Sequence, residues 1–306
     1  MDPSRHVRGA YDYRLILGPH SAISLPLQKL LTQNAKRLYE VGTEFPPAKM
    51  HREAMNKMLK RNVLELASPT AHDEYVESVL KKTETECIVY TYDAFLGSRK
   101  NALVDGVLYP SLEKKIYPIR QLTQGHDVTL FLPLQHVVQF IEKELKYVPN
   151  LRKELYSKSG DFSFSWLTFV WRIREAWPEA KIVIWNVDEI AINWPGFVAL
   201  LTGYPNSLSF SGLENYTVSC LAEEGRNAFL SSLKSNPPAN IPEWIDITSK
   251  HFSKYGKYVP VVERVVASPW SPEQVQHSRK KFAIDMKNCR SIQDVFLAHE
   301  LDFLAQ

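Results

Sequence analysis

The sequence predicts an α/β protein, a three-layer α/β/α arrangement around a mainly parallel sheet with a helical C-terminal portion. Two observations carry that reading. First, short apolar runs alternate along the chain with segments of helical periodicity, at the spacing of βαβ units. Second, residues 13–34, YRLILGPHSAISLPLQKLLTQN, pass from an apolar segment (Leu15, Ile16, Leu17) through a Gly18-Pro19 turn into Leu27, Leu30 and Leu31 at helical spacing. That is strand, loop, helix, a unit that in α/β proteins often holds phosphate on free N–H groups at the helix start.

After this first unit, residues 37–47 close with Gly42 and a Pro46-Pro47 stop. Residues 50–66 and 73–83 read as amphipathic helices separated by a Ser68-Pro69-Thr70 turn. Residues 86–92 (ECIVYTY) form a β-branched and aromatic run of the kind found in buried parallel strands. Residues 96–105 read as a loop, and 109–122 as a helix opening after Pro110. Residues 127–133 (DVTLFLP) are the third strand, followed by a helix over 136–147 and a polar exposed loop over 150–165. A helix over 166–177, ended by Pro178, leads into the fourth strand at 181–187 (KIVIWNV). Beyond Trp194 the chain reads as mostly helical, interrupted by loops at 204–213 and 235–242. The expected organisation is one domain over 1–306, with the sheet core in 13–205 and helices in 206–306.

Composition narrows the class. A chain of 306 residues, 44% hydrophobic and 23% charged, has the profile of a soluble globular protein. A formal charge of +3 without a dense Lys/Arg block does not point to nucleic acid. Cys87, Cys220 and Cys289 match no metal spacing and fit thiols in a reducing compartment, so the expected location is cytoplasmic. No apolar run is long enough to span a bilayer, and the N-terminus carries no apolar signal core.

Several motifs in sequence order carry a resemblance. Gly18, His20, Leu27 and Gln28 stand in one register, and Asn34, Leu38, Gly42, Phe45 and Pro46 follow without a gap. Downstream come IVYTYDAFLG (88–97), DVTLFLPLQHVVQFIEKEL (127–145), SWLTFVWRIREAWPEAKIVIWNVDE (165–189) and FAIDM (282–286). This order resembles the bacterial sulfotransferases that use 3′-phosphoadenosine 5′-phosphosulfate (PAPS), whose opening loop reads G-x-H-K-T-G-T-[ST]-x-L-Q. The resemblance spans roughly residues 13–205 and implies a P-loop-type fold with a nucleotide site at Gly18, Ser21, Ser24, Gln135 and Lys143. It implies PAPS, or its product 3′,5′-adenosine bisphosphate (PAP), as cofactor wherever that site works. Asp93 matches the family's general base toward an acceptor hydroxyl.

The departures fall on the chemistry. Ser21 stands where the family has the loop lysine, and Ala22, Ile23, Ser24 and Leu25 replace T-G-T-[ST]. Ile23 cannot take positive φ cheaply, whereas Gly can. Pro26 belongs in a first turn, which predicts Ser24 as a late N-cap. Gln135 and Lys143 occupy the positions of the arginine and serine that hold the 3′-phosphate, and a neutral amide cannot replace a guanidinium fork.

Other constellations read as structural. His20 beside Ser21 lacks the geometry of a nucleophile pair, His72-Asp73 marks a helix start, and Asp188-Glu189 sits at a strand end. Trp166, Trp171 and Trp177 read as core, and Arg99-Lys100 and Lys114-Lys115 as solvated pairs. Three functions follow. The first is a degenerate sulfotransferase homologue that binds a small molecule or protein partner. The second is an active sulfotransferase with a rebuilt donor site, His20 acting as the cation and Asp93 as the base. The third is another transferase using the same cleft with a less charged ligand.

Overall fold

The computed structural model describes residues 10–18, 20, 23–58, 60–82, 84–92, 95–145, 165–256 and 270–298. Six strands form one sheet: β1 (Asp12–Leu17), β2 (Thr43–Glu44), β3 (Cys87–Tyr92), β6 (Asp127–Leu134), β7 (Lys181–Asn186) and β8 (Val295–Leu297). Their order is β2-β3-β1-β6-β7-β8, and every pairing is parallel. Between β3 and β6 lies an antiparallel hairpin, β4 (Leu103–Val104) and β5 (Val107–Leu108).

Alternation along the strands builds two cores. Leu15, Leu17, Ile88, Tyr90, Leu130, Leu132, Ile182 and Ile184 face one side. There they meet α5 (Pro69–Val79), α6 (Leu112–Leu122), α7 (Val137–Leu145), α8 (Trp166–Ala176) and α14 (Pro272–Cys289). Ile16, Val89, Phe131, Val183 and Trp185 face the other side. They meet α1 (Ser24–Gln33), α10 (Trp194–Thr202) and α12 (Glu223–Ser235). Helices therefore cover both faces of a parallel sheet, the arrangement that continuous apolar strands require.

Several boundaries differ from the expectation, each for a local reason. The segment expected to be one helix over 50–66 is two, α3 (Ala48–Met58) and α4 (Val63–Leu66). Asn62 restarts the chain there: its Oδ1 accepts from the Glu65 N–H at 3.0 Å and its Nδ2 donates to Glu65 Oε1 at 2.7 Å. Ser68-Pro69-Thr70 opens α5 instead of separating helices. Ser68 Oγ accepts from the Ala71 N–H at 3.2 Å and Pro69 takes the first helical position.

Ser24 is not the N-cap of α1. That place belongs to Ile23, fully buried with φ −85° and ψ −23°, and Ser24 is the first helical residue. Core burial of the Ile23 side chain holds the turn where capping chemistry would have favoured Ser24. The expected loop over 96–105 contains β4, whose Asp105-Gly106 turn has both residues at positive φ, 50° and 77°. β2 and β8 were not expected; β8 comes from the C-terminal portion and completes the sheet beside β7. Residues 146–147 of the helix expected over 136–147, and residues 150–164 of the loop expected over 150–165, lie outside the described residues. Among the described residues no helix is long and apolar enough to cross a membrane.

Candidate functional site

The connection leaving β1 enters α1 on one face, while those leaving β3 and β6 enter α6 and α7 on the other. The connection from β1 thus leaves to the side opposite those of both its neighbours, and the C-terminal end of β1 is a topological switch point, the place where ligands gather in open α/β sheets. Gly18, His20 and Gln135 all lie at this edge. Ser21 and Asp93 lie outside the described residues. Lys143 falls within α7.

His20 is the best-defined member. It is buried, its backbone N–H donates to Tyr109 Oη at 3.0 Å, and its Nδ1 lies 3.0 Å from the same oxygen. The two rings stack with centroids 5.9 Å apart. Burial, helped by the nearby charge of Arg99, pushes the His20 pKa down to about 4. The imidazole is neutral at pH 7.

Tyr109 is itself tightly held. It is fully buried with φ +45°, a costly conformation for a bulky residue. Arg172 supports it by donating to Leu108 O at 2.6 Å and Tyr109 O at 3.1 Å while its fork grips Glu113 at 2.7 and 2.9 Å. Gly18 packs beneath: a Cβ there would stand 3.4 Å from Leu96 Cδ1 and 3.5 Å from Tyr109 Oη. These are ordinary van der Waals distances, so the first loop packs on the β3–α6 crossover here without requiring a glycine. Gln28 ties the start of α1 to the end of β3, donating to Thr91 O at 3.3 Å. Gln135 is fully buried, and Ser24 is buried in the first turn of α1.

Tyr109 and Arg172 carry no signal in the sequence beyond Tyr109 preceding a proline, which disfavours α geometry there. Other motif residues have structural roles. Asn34 bridges α1 to the segment before α11 (Glu214–Ser219), bonding Ser211 N at 2.9 Å and Ser211 O at 3.0 Å. Asn186 caps the short helix containing Asp188 and Glu189, accepting from the Asp188 N–H at 3.1 Å. Asp285 accepts from Ser165 Oγ and the Trp166 N–H at 2.9 and 2.8 Å, which anchors α8. His72 is buried and bonds Tyr13 Oη at 2.7 Å. Trp166 and Trp177 are core, and Trp171 is 45% exposed.

Two clefts open at the opposite edge, where the strands begin. One of about 560 Å³ lies between β1 and the β2–β3 side, and one of about 1080 Å³ lies over the starts of β6 and β7. They meet at Arg14, whose guanidinium pairs with Asp12 at 2.7 Å and donates to Leu200 O at 3.0 Å. Among the described residues no group of three or more His, Cys, Asp or Glu is placed to hold a metal ion.

No protein-family model matches this chain, and no curated protein or solved structure does so.

Proposed function

We propose that this chain is a sulfotransferase-like α/β protein that does not carry out PAPS-dependent sulfuryl transfer and acts instead by binding a small molecule or partner. The observation that carries the reading is the state of His20. Transfer of a sulfuryl group develops negative charge that a positioned cation must offset, as in phosphoryl transfer. With Ser21 in the lysine's place, His20 is the cation candidate of the loop, and it is buried, neutral at pH 7 and hydrogen-bonded to Tyr109. Gln135, in the place of the phosphate-binding arginine, is fully buried and uncharged.

A second reading keeps transfer activity, with Arg99 as the replacement cation. It is supported by the Arg99 charge, which after burial is the second cause lowering the His20 pKa. Calorimetric titration with PAP at modest salt separates the two. The first reading expects no saturable heat up to millimolar ligand. Micromolar binding that is lost in Arg99→Ala or Gln135→Ala would overturn it in favour of the second, with Asp93 then tested as base.

A further inference from the structure

The larger cleft lies at the strand-start edge, the opposite edge of the sheet from Gly18, His20 and Gln135, and its charges are arranged unevenly. Arg14 is neutralised by Asp12, and Arg120 by Glu179, and each guanidinium also meets a main-chain carbonyl, of Leu200 and of Ala176. Asp127 and Lys181 also line the cleft, are exposed, and enter no ion pair among the described residues. They are the charges left to a ligand.

Their placement follows from the sheet. Asp127 and Lys181 open β6 and β7, on the face that carries Phe131 and Val183 further along the same strands. Lys181 pairs with Thr129, two residues beyond Asp127. Strand spacing and rise therefore put the two α-carbons about 8 Å apart, with both side chains on one face. An ammonium and a carboxylate borne on one carbon stand about 3 Å apart by ordinary bond lengths. The Asp127 carboxylate stands about 2.5 Å and the Lys181 ammonium up to about 6 Å from its α-carbon. Rotation of the long lysine stem lets the two heads take the separation of about 8–9 Å that this pair spans with a charge-assisted hydrogen bond of about 2.8 Å at each end, carboxylate to Lys181 and ammonium to Asp127. Phe131, Val183 and Leu200 then form an apolar floor, with Trp177 and Tyr204 beside it. A volume of about 1080 Å³ suits a ligand with a large apolar body.

We infer that this cleft is a binding site for a zwitterion of the α-amino-acid type with a large apolar side chain, held by Asp127 and Lys181 over Phe131 and Val183. The inference stands apart from the proposed function, since it uses the other edge of the sheet.

The test is calorimetric titration of the whole chain with 3-(2-naphthyl)-L-alanine, its N-acetyl derivative and its amide. Saturable one-site binding of the parent compound is expected at a dissociation constant of about 1 mM or tighter. Acetylation, which removes the ammonium, and amidation, which removes the carboxylate, should each weaken it at least about tenfold. Asp127→Asn should abolish the discrimination against the N-acetyl compound, and Lys181→Met that against the amide. Both residues are exposed, so the variants are expected to fold, and thermal unfolding checks this. Equal affinity for all three compounds, no saturation by about 10 mM, or variants that discriminate like the parent chain would each overturn the inference.

Discussion

Acidification should destabilise this protein well before its carboxylates are protonated, because three of its buried histidines are held as neutral rings. His20, His51 and His72 are each pushed down to about 4, by burial first and then by Arg99, Arg52 and His126 respectively. The folded pKa lies below the ordinary value of 6.5, so the unfolded chain takes up protons first. Stability is therefore fully present above the unfolded pKa, falls as pH drops from about 6.5 toward 4, and stops falling from this cause below 4.

For one such histidine, the linkage relation puts the loss between pH 7 and pH 5 at about 2 kcal/mol, so three together give about 6 kcal/mol as an upper bound. That is a large share of the roughly 5–15 kcal/mol that holds a typical domain folded. Urea unfolding at pH 7, 6 and 5 measures the slope, and His51→Gln should remove about a third of it. His51 is the cleanest probe: it has no exposure and packs 4.7 Å from Tyr90 and 5.9 Å from Phe95, ring to ring. A change below about 1 kcal/mol over this range would refute the reasoning, as would an unaltered slope in the variant.

Two further outcomes follow from single contacts. Tyr109→Phe deletes the hydroxyl that bonds the His20 N–H and Nδ1, and should cost about 1–3 kcal/mol. An NMR titration should also show the His20 pKa altered, and an unchanged His20 resonance would argue against the contact. Glu44→Ala removes a buried carboxylate that accepts from the Lys81 and Lys82 N–H groups at 2.8 and 3.2 Å and from Thr85 Oγ1 at 3.0 Å. A loss of about 2–4 kcal/mol in chemical denaturation is expected, and one below about 0.5 kcal/mol would show those donors to be resolvated without cost.

Much of the architecture was legible because it depends on local periodicity. Residues 86–92, 127–133 and 181–187 announce strands through continuous apolar and β-branched runs, and all three lie in the sheet as parallel strands. Ser68-Pro69 and Asn62 carried capping information that periodicity alone overrode. Asp105-Gly106 is a hairpin signal within a segment read as loop. The two short strands β2 and β8 were not legible, since two or three residues hold no period and their pairing is decided by what lies beside them.

By itself the sequence determined a parallel α/β sheet with two apolar faces, because strand and helix periods are written in the spacing of neighbouring residues. It also determined that Ser21 and Gln135 bring no cation to the first loop and the end of β6, since residue type alone decides formal charge. Only tertiary structure decided that His20 is neutral, through the fold that buries it under Tyr109, a residue 89 positions away. Only tertiary structure brought Asp127 and Lys181 to one edge of one cleft. Protonation and charge pairing depend on desolvation and on distances between side chains far apart in the chain, and spacing along the sequence carries neither.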